Sequence, residues 1–365
     1  IPDKDDAIKT ALELSFGMKF DLVITTGGLG PTSDDITRDA VFDFIGTDYL
    51  FDNEYWKLLK QRYGKVGIAV SESNRSQAIV PTQGQVIPNL VGSARGFQFE
   101  VDSTTLILLP GVPKEMKSMI KESIIPFINS KGLPKPNIEL LRTTGIPESS
   151  LVEKINPAIE KDHQCSIGYY PSAFGVDLRI KGENPSKVKD LFSDISSILE
   201  EHVYAYKKKN IEEIVVSMAI KKRCTIAISE SCTGGLVGSR ITNVPGSSRV
   251  FMGGVIAYSN HIKTKLLDVK IDTLETRGSV SNETAKEMAV MTLEKFKVNY
   301  AVSITGIAGP DGGSKKKPVG LVYIGIANKE DVYVKKYQFR GDRDSIKLRT
   351  SQAALNMIRI ALNNE

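Results

Sequence analysis

The side chains with chemistry to offer gather in a few glycine-flanked stretches. In "GSSRVFMGGVIAYSNHIK", Gly246 to Lys263, two serines, a tyrosine and a lysine share one segment. A serine hydroxyl is too weak an acid to attack an amide unaided and needs a base. The chain holds three histidines, His163, His202 and His261, so the substitute to weigh is a lysine made neutral by burial or by a nearby cation. Ser247 and Ser248 precede an apolar strand leading to Tyr258, and Lys263 falls on the first turn of the helix that follows. Strand and helix could therefore bring a serine and the lysine together, with Tyr258 to relay or polarise. The plain alternative is that the serines cap a helix and Lys263 is solvated. Cys232 is a rival nucleophile, and His261 is the histidine of this region that could serve it.

Other stretches suit phosphate. "TIAISESCTGGLVGSRIT" reads as an apolar strand, a small polar turn and a helix beginning near Gly234. Backbone N–H groups at a helix start are unsatisfied donors at the positive end of the dipole, so Ser231, Thr233, Gly234 and Gly235 could cradle an anion. "GIAGPDGGSKKKPVG" follows the strand "YAVSIT" and is too long and glycine-rich for a mere connector. In "GDRDSIKLR", Arg343 opens the last helix, where a guanidinium suits a phosphate or carboxylate. Near the start, "TTGGLGPTSDDITRDA" sets Gly27, Gly28, Gly30 and Thr32 after a buried strand as phosphate donors. Asp34 and Asp35 follow, able to hold a divalent cation.

The elements that must position these residues fall into three blocks. Residues 1–135 alternate helix and strand: an amphipathic helix runs from about Asp5, and Asp21–Thr26 is a buried strand. Residues 136–206 read strand, helix, strand, strand, helix, the last helix covering "PSKVKDLFSDISSILEEHV". Residues 207–365 open on the helix "IEEIVVSMAIKKR" and return to alternation. A length of 365 residues accommodates these as separate domains. The sequence begins without methionine and in mid-element, which predicts a strand and helix lost from its start. No apolar run is long enough for a membrane span and no signal-peptide pattern opens the chain, so it is expected in the cytoplasm. Three widely spaced cysteines, Cys165, Cys224 and Cys232, argue against a disulfide framework or a structural zinc site. The net charge is +5, and the short run Lys207–Lys209 points to a solvated linker rather than a nucleic-acid face.

Together "ESCTGG", "PGSS", "YSN" with Lys263, "TGIAGPDGG", "KPVG" and "GDRD" resemble the nicotinamide mononucleotide deamidase domain of the CinA family. "TTGGLGPTSDD" with "LPGVPKEM" resembles the molybdopterin-binding-like domain that heads the same family, and the middle block its KH-like module. Ser229 stands where alanine is common and Arg95 where proline is usual. The resemblance implies three parts: an α/β molybdopterin-binding-like domain (1–135), a small α+β KH-like module (136–206) and an α/β amidohydrolase domain (207–365). It implies hydrolysis of the nicotinamide carboxamide to nicotinic acid mononucleotide and ammonia, with no cofactor. The family's Ser/Lys dyad maps onto Ser248 and Lys263 with Tyr258 beside them, and its substrate site onto Ser231, Thr233, Gly234, Gly235, Thr305, Gly306 and Arg343. For the first domain it implies hydrolysis of ADP-ribose with a divalent metal at Asp34 and Asp35, joined by a monovalent cation, and phosphates at Gly27, Gly28, Gly30 and Thr32. The middle block has no GxxG loop to clamp a nucleic-acid backbone, so the expectation is a spacer or a homodimer-forming module. The other classes to weigh are a non-catalytic protein of competence or DNA damage and a molybdopterin-binding protein.

Overall fold

The computed structural model describes residues 1–161 and 164–363 and divides into two units, Ile1–Pro134 and Lys135–Glu365. His163 lies outside the described residues. The first unit runs α1 (Asp5–Gly17), β1 (Leu22–Thr26), α2 (Thr37–Ile45), β2 (Tyr49–Phe51), α3 (Asn53–Lys65), β3 (Ile79–Pro81), β4 (Gln85–Ile87), β5 (Gly96–Val101), β6 (Thr104–Leu109), α4 (Pro113–Met119) and α5 (Ile125–Ser130). Its main sheet has the order β1-β6-β5-β4, with β1 parallel to β6 and the other pairs antiparallel. Strand β6 is apolar at every position from Leu106 to Leu109 because both faces of the sheet are covered. Leu106 and Leu108 pack with Val41, Phe42 and Phe97 on one side, and Ile107 and Leu109 with Met119 and Ile124 on the other. That alternation is the period of two expected of a strand. Arg95 is buried: its guanidinium pairs with Asp52 at 2.7 Å and lies 3.8 Å from the Tyr55 ring centroid.

The second unit begins with the KH-like module: β7 (Asn137–Thr143), α6 (Glu148–Ile159), β8 (Cys165–Ser172), β9 (Gly175–Gly182), α7 (Pro185–Leu199) and β10 (Val203–Ala205). The sheet order is β10-β7-β9-β8, antiparallel throughout, with Leu151 and Ile155 of α6 and Leu191 and Ile195 of α7 packed on Leu141, Leu178 and Ile180. The last helix was expected to reach Val203. It stops at Leu199 instead, because Glu200 takes a left-handed backbone (φ 40°) into a single 3-10 turn. Buried Val203 and Tyr204 then form a short strand beside β7.

The chain continues through α8 (Ile211–Lys222), β11 (Ile226–Glu230), α9 (Leu236–Thr242), β12 (Phe251–Ile256), α10 (Asn260–Leu267), α11 (Ile271–Thr276), α12 (Asn282–Phe296), β13 (Tyr300–Gly306), β14 (Leu321–Ala327), β15 (Val332–Gln338) and α13 (Arg343–Asn363). The order β12-β11-β13-β14-β15 has a parallel half, β12-β11-β13, and an antiparallel half. Ile226 and Ile228 of β11 meet α8, α9 and α13 on one face, while Ala227 packs with Val298 and Ala301 on the other. A parallel strand buried on both faces must be apolar along its length, which is why "TIAIS" shows no alternation. The KH-like module is fastened to this domain by cations. Arg359 of α13 donates to the carbonyls of Glu201 and Val203, Arg142 of β7 donates to Lys209 O and Asn210 Oδ1, and Arg240 of α9 lies 4.8 Å from the Phe174 ring centroid. Among the described residues no helix is long and apolar enough to cross a membrane.

Candidate active site

The loops beyond the C-terminal ends of β11 and β13 and beyond β12 enclose a cleft of about 430 Å³. This is where a parallel sheet delivers functional groups, since its strands all end on the same side. Ser231 is the first residue after β11. Its N–H donates to Ile304 O of β13 at 2.9 Å, which fixes the serine against the central strand. Across the cleft Lys263 rises from α10, its N–H bonded to Ser259 O, and its side chain is 1% exposed. Lys263 Nζ lies 3.1 Å from Ser231 Oγ, 2.7 Å from Ala257 O and 3.4 Å from Tyr258 O.

Those three partners decide what the amine can do. Ala257 O and Tyr258 O are carbonyl oxygens and can only accept. A neutral Lys263 therefore spends its two hydrogens on them and turns its lone pair toward the one partner that carries a proton, the Ser231 hydroxyl. Burial lowers the Lys263 pKa from the ordinary 10.5 to about 8, against a small opposing effect of Cys232. A lysine so placed is neutral often enough near neutral pH to act as a base.

The structure brings Ser231, and not the expected Ser248, to Lys263. Ser248 stands exposed on a 3-10 turn, Ser247–Arg249, before β12, and is not among the residues lining the cleft. Lys263 follows the other end of that six-residue strand. Six residues at about 3.3 Å each keep the two ends about 20 Å apart, so strand β12 separates Ser248 from Lys263 rather than joining them. The signal for Ser231 was present in its position at the C-terminal end of a buried parallel strand. The rival chemistry is not assembled either. Burial pushes the Cys232 thiol up to about 12, so it remains protonated, and His261 is exposed on the outer side of α10.

The N–H groups at the start of the helix after Ser231 are already bonded within the protein. The Gly235, Val237 and Gly238 N–H groups all donate to the Glu230 carboxylate, at 3.0, 3.2 and 2.9 Å. Thr233, Gly234 and Gly235 are absent from the cleft wall, and the helix starts at Leu236, two residues later than expected. The protein's own anion has taken the helix N-terminus. Cationic side chains line the far wall. Arg343 opens α13 as expected, donating from Nη1 to Gly309 O at 2.6 Å and from Nη2 to the Tyr258 hydroxyl at 3.1 Å. Lys317 reaches over from the glycine-rich loop, donating to Arg277 O at 2.6 Å. Thr305 and Gly306 line the same wall, Thr305 Oγ1 bonded to Ser279 O at 2.5 Å.

In the first unit the parallel pairing of Thr26 with Leu109 brings "TTGGLGP" and "LPGVP" side by side. Gly27 N donates to Leu109 O at 2.9 Å, and a side chain at Gly111 would meet Gly27 Cα at 3.2 Å. Gly27 and Gly28 have left-handed backbones, φ 98° and 67°. Gly30 lies against Asp35, whose Oδ2 accepts from Thr32 N at 3.0 Å and Thr32 Oγ1 at 2.5 Å. Burial raises the Asp35 pKa, but the bonds from Thr32 and Gly30 and the charge of Arg38 outweigh it, and the net shift is downward. Asp34 is exposed. Among the described residues no group of three or more His, Cys, Asp or Glu could hold a metal ion. The loop offers a cation Asp34 and the remaining oxygen of Asp35, a set that suffices only with a ligand's phosphates completing the shell.

Comparison with known proteins agrees with this layout. The CinA C-terminal domain matches residues 208–362, a molybdopterin binding domain residues 1–130, and the damage-inducible protein CinA KH domain residues 139–205. A competence-damage inducible protein of Caldicellulosiruptor saccharolyticus is 39% identical over all of this chain and 90% of its own length. The chain belongs to the CinA family. A CinA-like protein of Dictyoglomus thermophilum is 37% identical, again over all of this chain and 90% of its own. The crystal structure of the competence/damage inducible protein CihA from Agrobacterium tumefaciens matches 42% of the chain and 97% of its own, at 38% identity and a TM-score of 0.40.

Proposed function

We propose that the C-terminal domain hydrolyses the carboxamide of nicotinamide mononucleotide, releasing ammonia and nicotinic acid mononucleotide. The observation that carries this reading is Lys263 Nζ, 3.1 Å from Ser231 Oγ, buried at the wall of a cleft whose other side presents Arg343 and Lys317. Neutral Lys263 removes the Ser231 proton as Oγ bonds to the carboxamide carbon. The resulting ammonium returns that proton to the leaving nitrogen, the C–N bond breaks, and ammonia departs. Water then attacks the ester, giving a proton to Lys263, and as the ester C–O bond breaks that proton passes from the Lys263 ammonium to Oγ, restoring the Ser231 hydroxyl and the neutral lysine. Arg343 serves the phosphate, which holds the mononucleotide with its base toward Ser231. No cofactor is needed. The test is ammonia release from nicotinamide mononucleotide by the purified chain, with Ser231→Ala as the control that must be inactive.

For the first unit the reading is a phosphate-bearing ligand at the junction of Gly27–Thr32 with Pro110–Val112, ADP-ribose by resemblance. A divalent metal there would be shared between Asp34, Asp35 and the ligand, neutralising pyrophosphate charge. Calorimetric titration of ADP-ribose with and without magnesium, on wild type and Asp34→Asn, tests it.

A further inference from the structure

The residue before the serine has no part in the chemistry above, yet its surroundings are unusual. Glu230 is 1% exposed, and its carboxylate is met by three backbone N–H groups. Burying a carboxylate is costly unless donors replace water. The start of α9 supplies three, together with the positive end of the helix dipole.

The bonds close a ring. Glu230 reaches from the end of β11 across Ser231–Gly234 to Gly235, Val237 and Gly238, so the turn that begins with Ser231 is tied at both ends by one side chain. The same residue reaches the base through its main chain. Glu230 O accepts from Ala257 N at 2.7 Å, and Ala257 O accepts from Lys263 Nζ at 2.7 Å. One residue thus holds the serine's turn with its side chain and, through a single intervening residue, the lysine's anchor with its backbone.

We propose that Glu230 is a positioning residue that sets the separation and aim of Ser231 Oγ against Lys263 Nζ. This rests on the Ser231–Lys263 reading. A glutamine at 230 has one acceptor oxygen, and its amide hydrogens confront the N–H donors on the other side, so at least one of the three bonds is lost and the turn shifts. Displacement of a reacting group by about 1 Å costs about 10²-fold in rate. The phosphate-holding wall does not touch Glu230, so binding is spared.

Glu230→Gln and the wild type are compared for ammonia release from nicotinamide mononucleotide across pH. The expected result is kcat lower by about 10²-fold, KM within about twofold, and the rising limb of the pH profile unmoved. A kcat within about threefold of wild type overturns the proposal. So does a limb moved by more than about one pH unit, which would mean that Glu230 acts on Lys263 by charge and not by placement. If Glu230→Gln does not fold, Glu230→Asp keeps the charge but is one methylene too short to reach all three donors. It should lose at least about tenfold in kcat, and full activity overturns the proposal. Should the wild type release no ammonia, the deamidase reading fails by itself. The rate at which a sulfonyl fluoride labels Ser231, read by mass spectrometry, then decides. A slower rate in Glu230→Gln supports the positioning role, and an equal rate overturns it.

Discussion

Lys263 can act as a base only while neutral, and the structure sets how often that is. With an ordinary pKa of 10.5, about one lysine in 3,000 is neutral at pH 7; at about 8 it is about one in eleven. Burial therefore raises the reactive fraction by about two to three orders of magnitude, equivalent to about 3 kcal/mol at about 1.4 kcal/mol per pH unit. Ammonia release measured from about pH 6 to 10 should rise tenfold per pH unit below pH 8, bend near 8 and level off above it. The sign follows from the base having to lose its proton before it can accept one from Ser231. Lys263→Arg keeps the positive charge but cannot give up its proton, so it should be as inactive as Lys263→Ala at every pH. His261→Ala should keep most of the activity, because that ring is on the outside of α10. A flat profile between pH 6 and 9, a bend near 10, or an active Lys263→Arg enzyme would each refute the argument that burial makes this lysine a base.

The two serines give an equally direct comparison: Ser231→Ala should lose at least about 10³-fold in kcat, whereas Ser248→Ala, exposed before β12, should stay within about threefold of wild type. Arg343→Ala should reduce kcat/KM for nicotinamide mononucleotide by about 10- to 100-fold, the worth of a charge-assisted hydrogen bond, and leave nicotinamide riboside almost unaffected. Equal losses for both would remove the phosphate role. Arg240 is buried in bonds to Glu212 at 2.7 Å, Ser351 Oγ at 2.8 Å and Gln352 Oε1 at 2.8 Å. Glu212→Ala strands that cation and should destabilise the second unit by about 3–5 kcal/mol in urea unfolding. In the first unit, Asp34→Asn should abolish any magnesium-enhanced binding of ADP-ribose while leaving metal-free binding unchanged.

Local pattern determined much of this protein. Apolar runs bounded by glycine turns located β1, β11 and β13, amphipathic periodicity located α1, helices were also read at α8 and from Arg343 onward, and the motifs in series carried the family. The place of Arg343 at the start of α13 was legible because helix-start preferences are local. What the sequence could not decide was which serine faces Lys263. Ser248 is closer in sequence, but six residues of extended strand keep it away, while Ser231, 32 positions removed, arrives beside the lysine because β11 and β12 run parallel and end together. The expected phosphate cradle differs for a related reason: of the expected donors only Gly235 is among the N–H groups that meet an anion, and their occupant, Glu230, is revealed only when the side chain folds back over its own turn. The lowered pKa of Lys263 is likewise a tertiary property, since α10 alone would leave that amine in water and only the surrounding strand ends remove it.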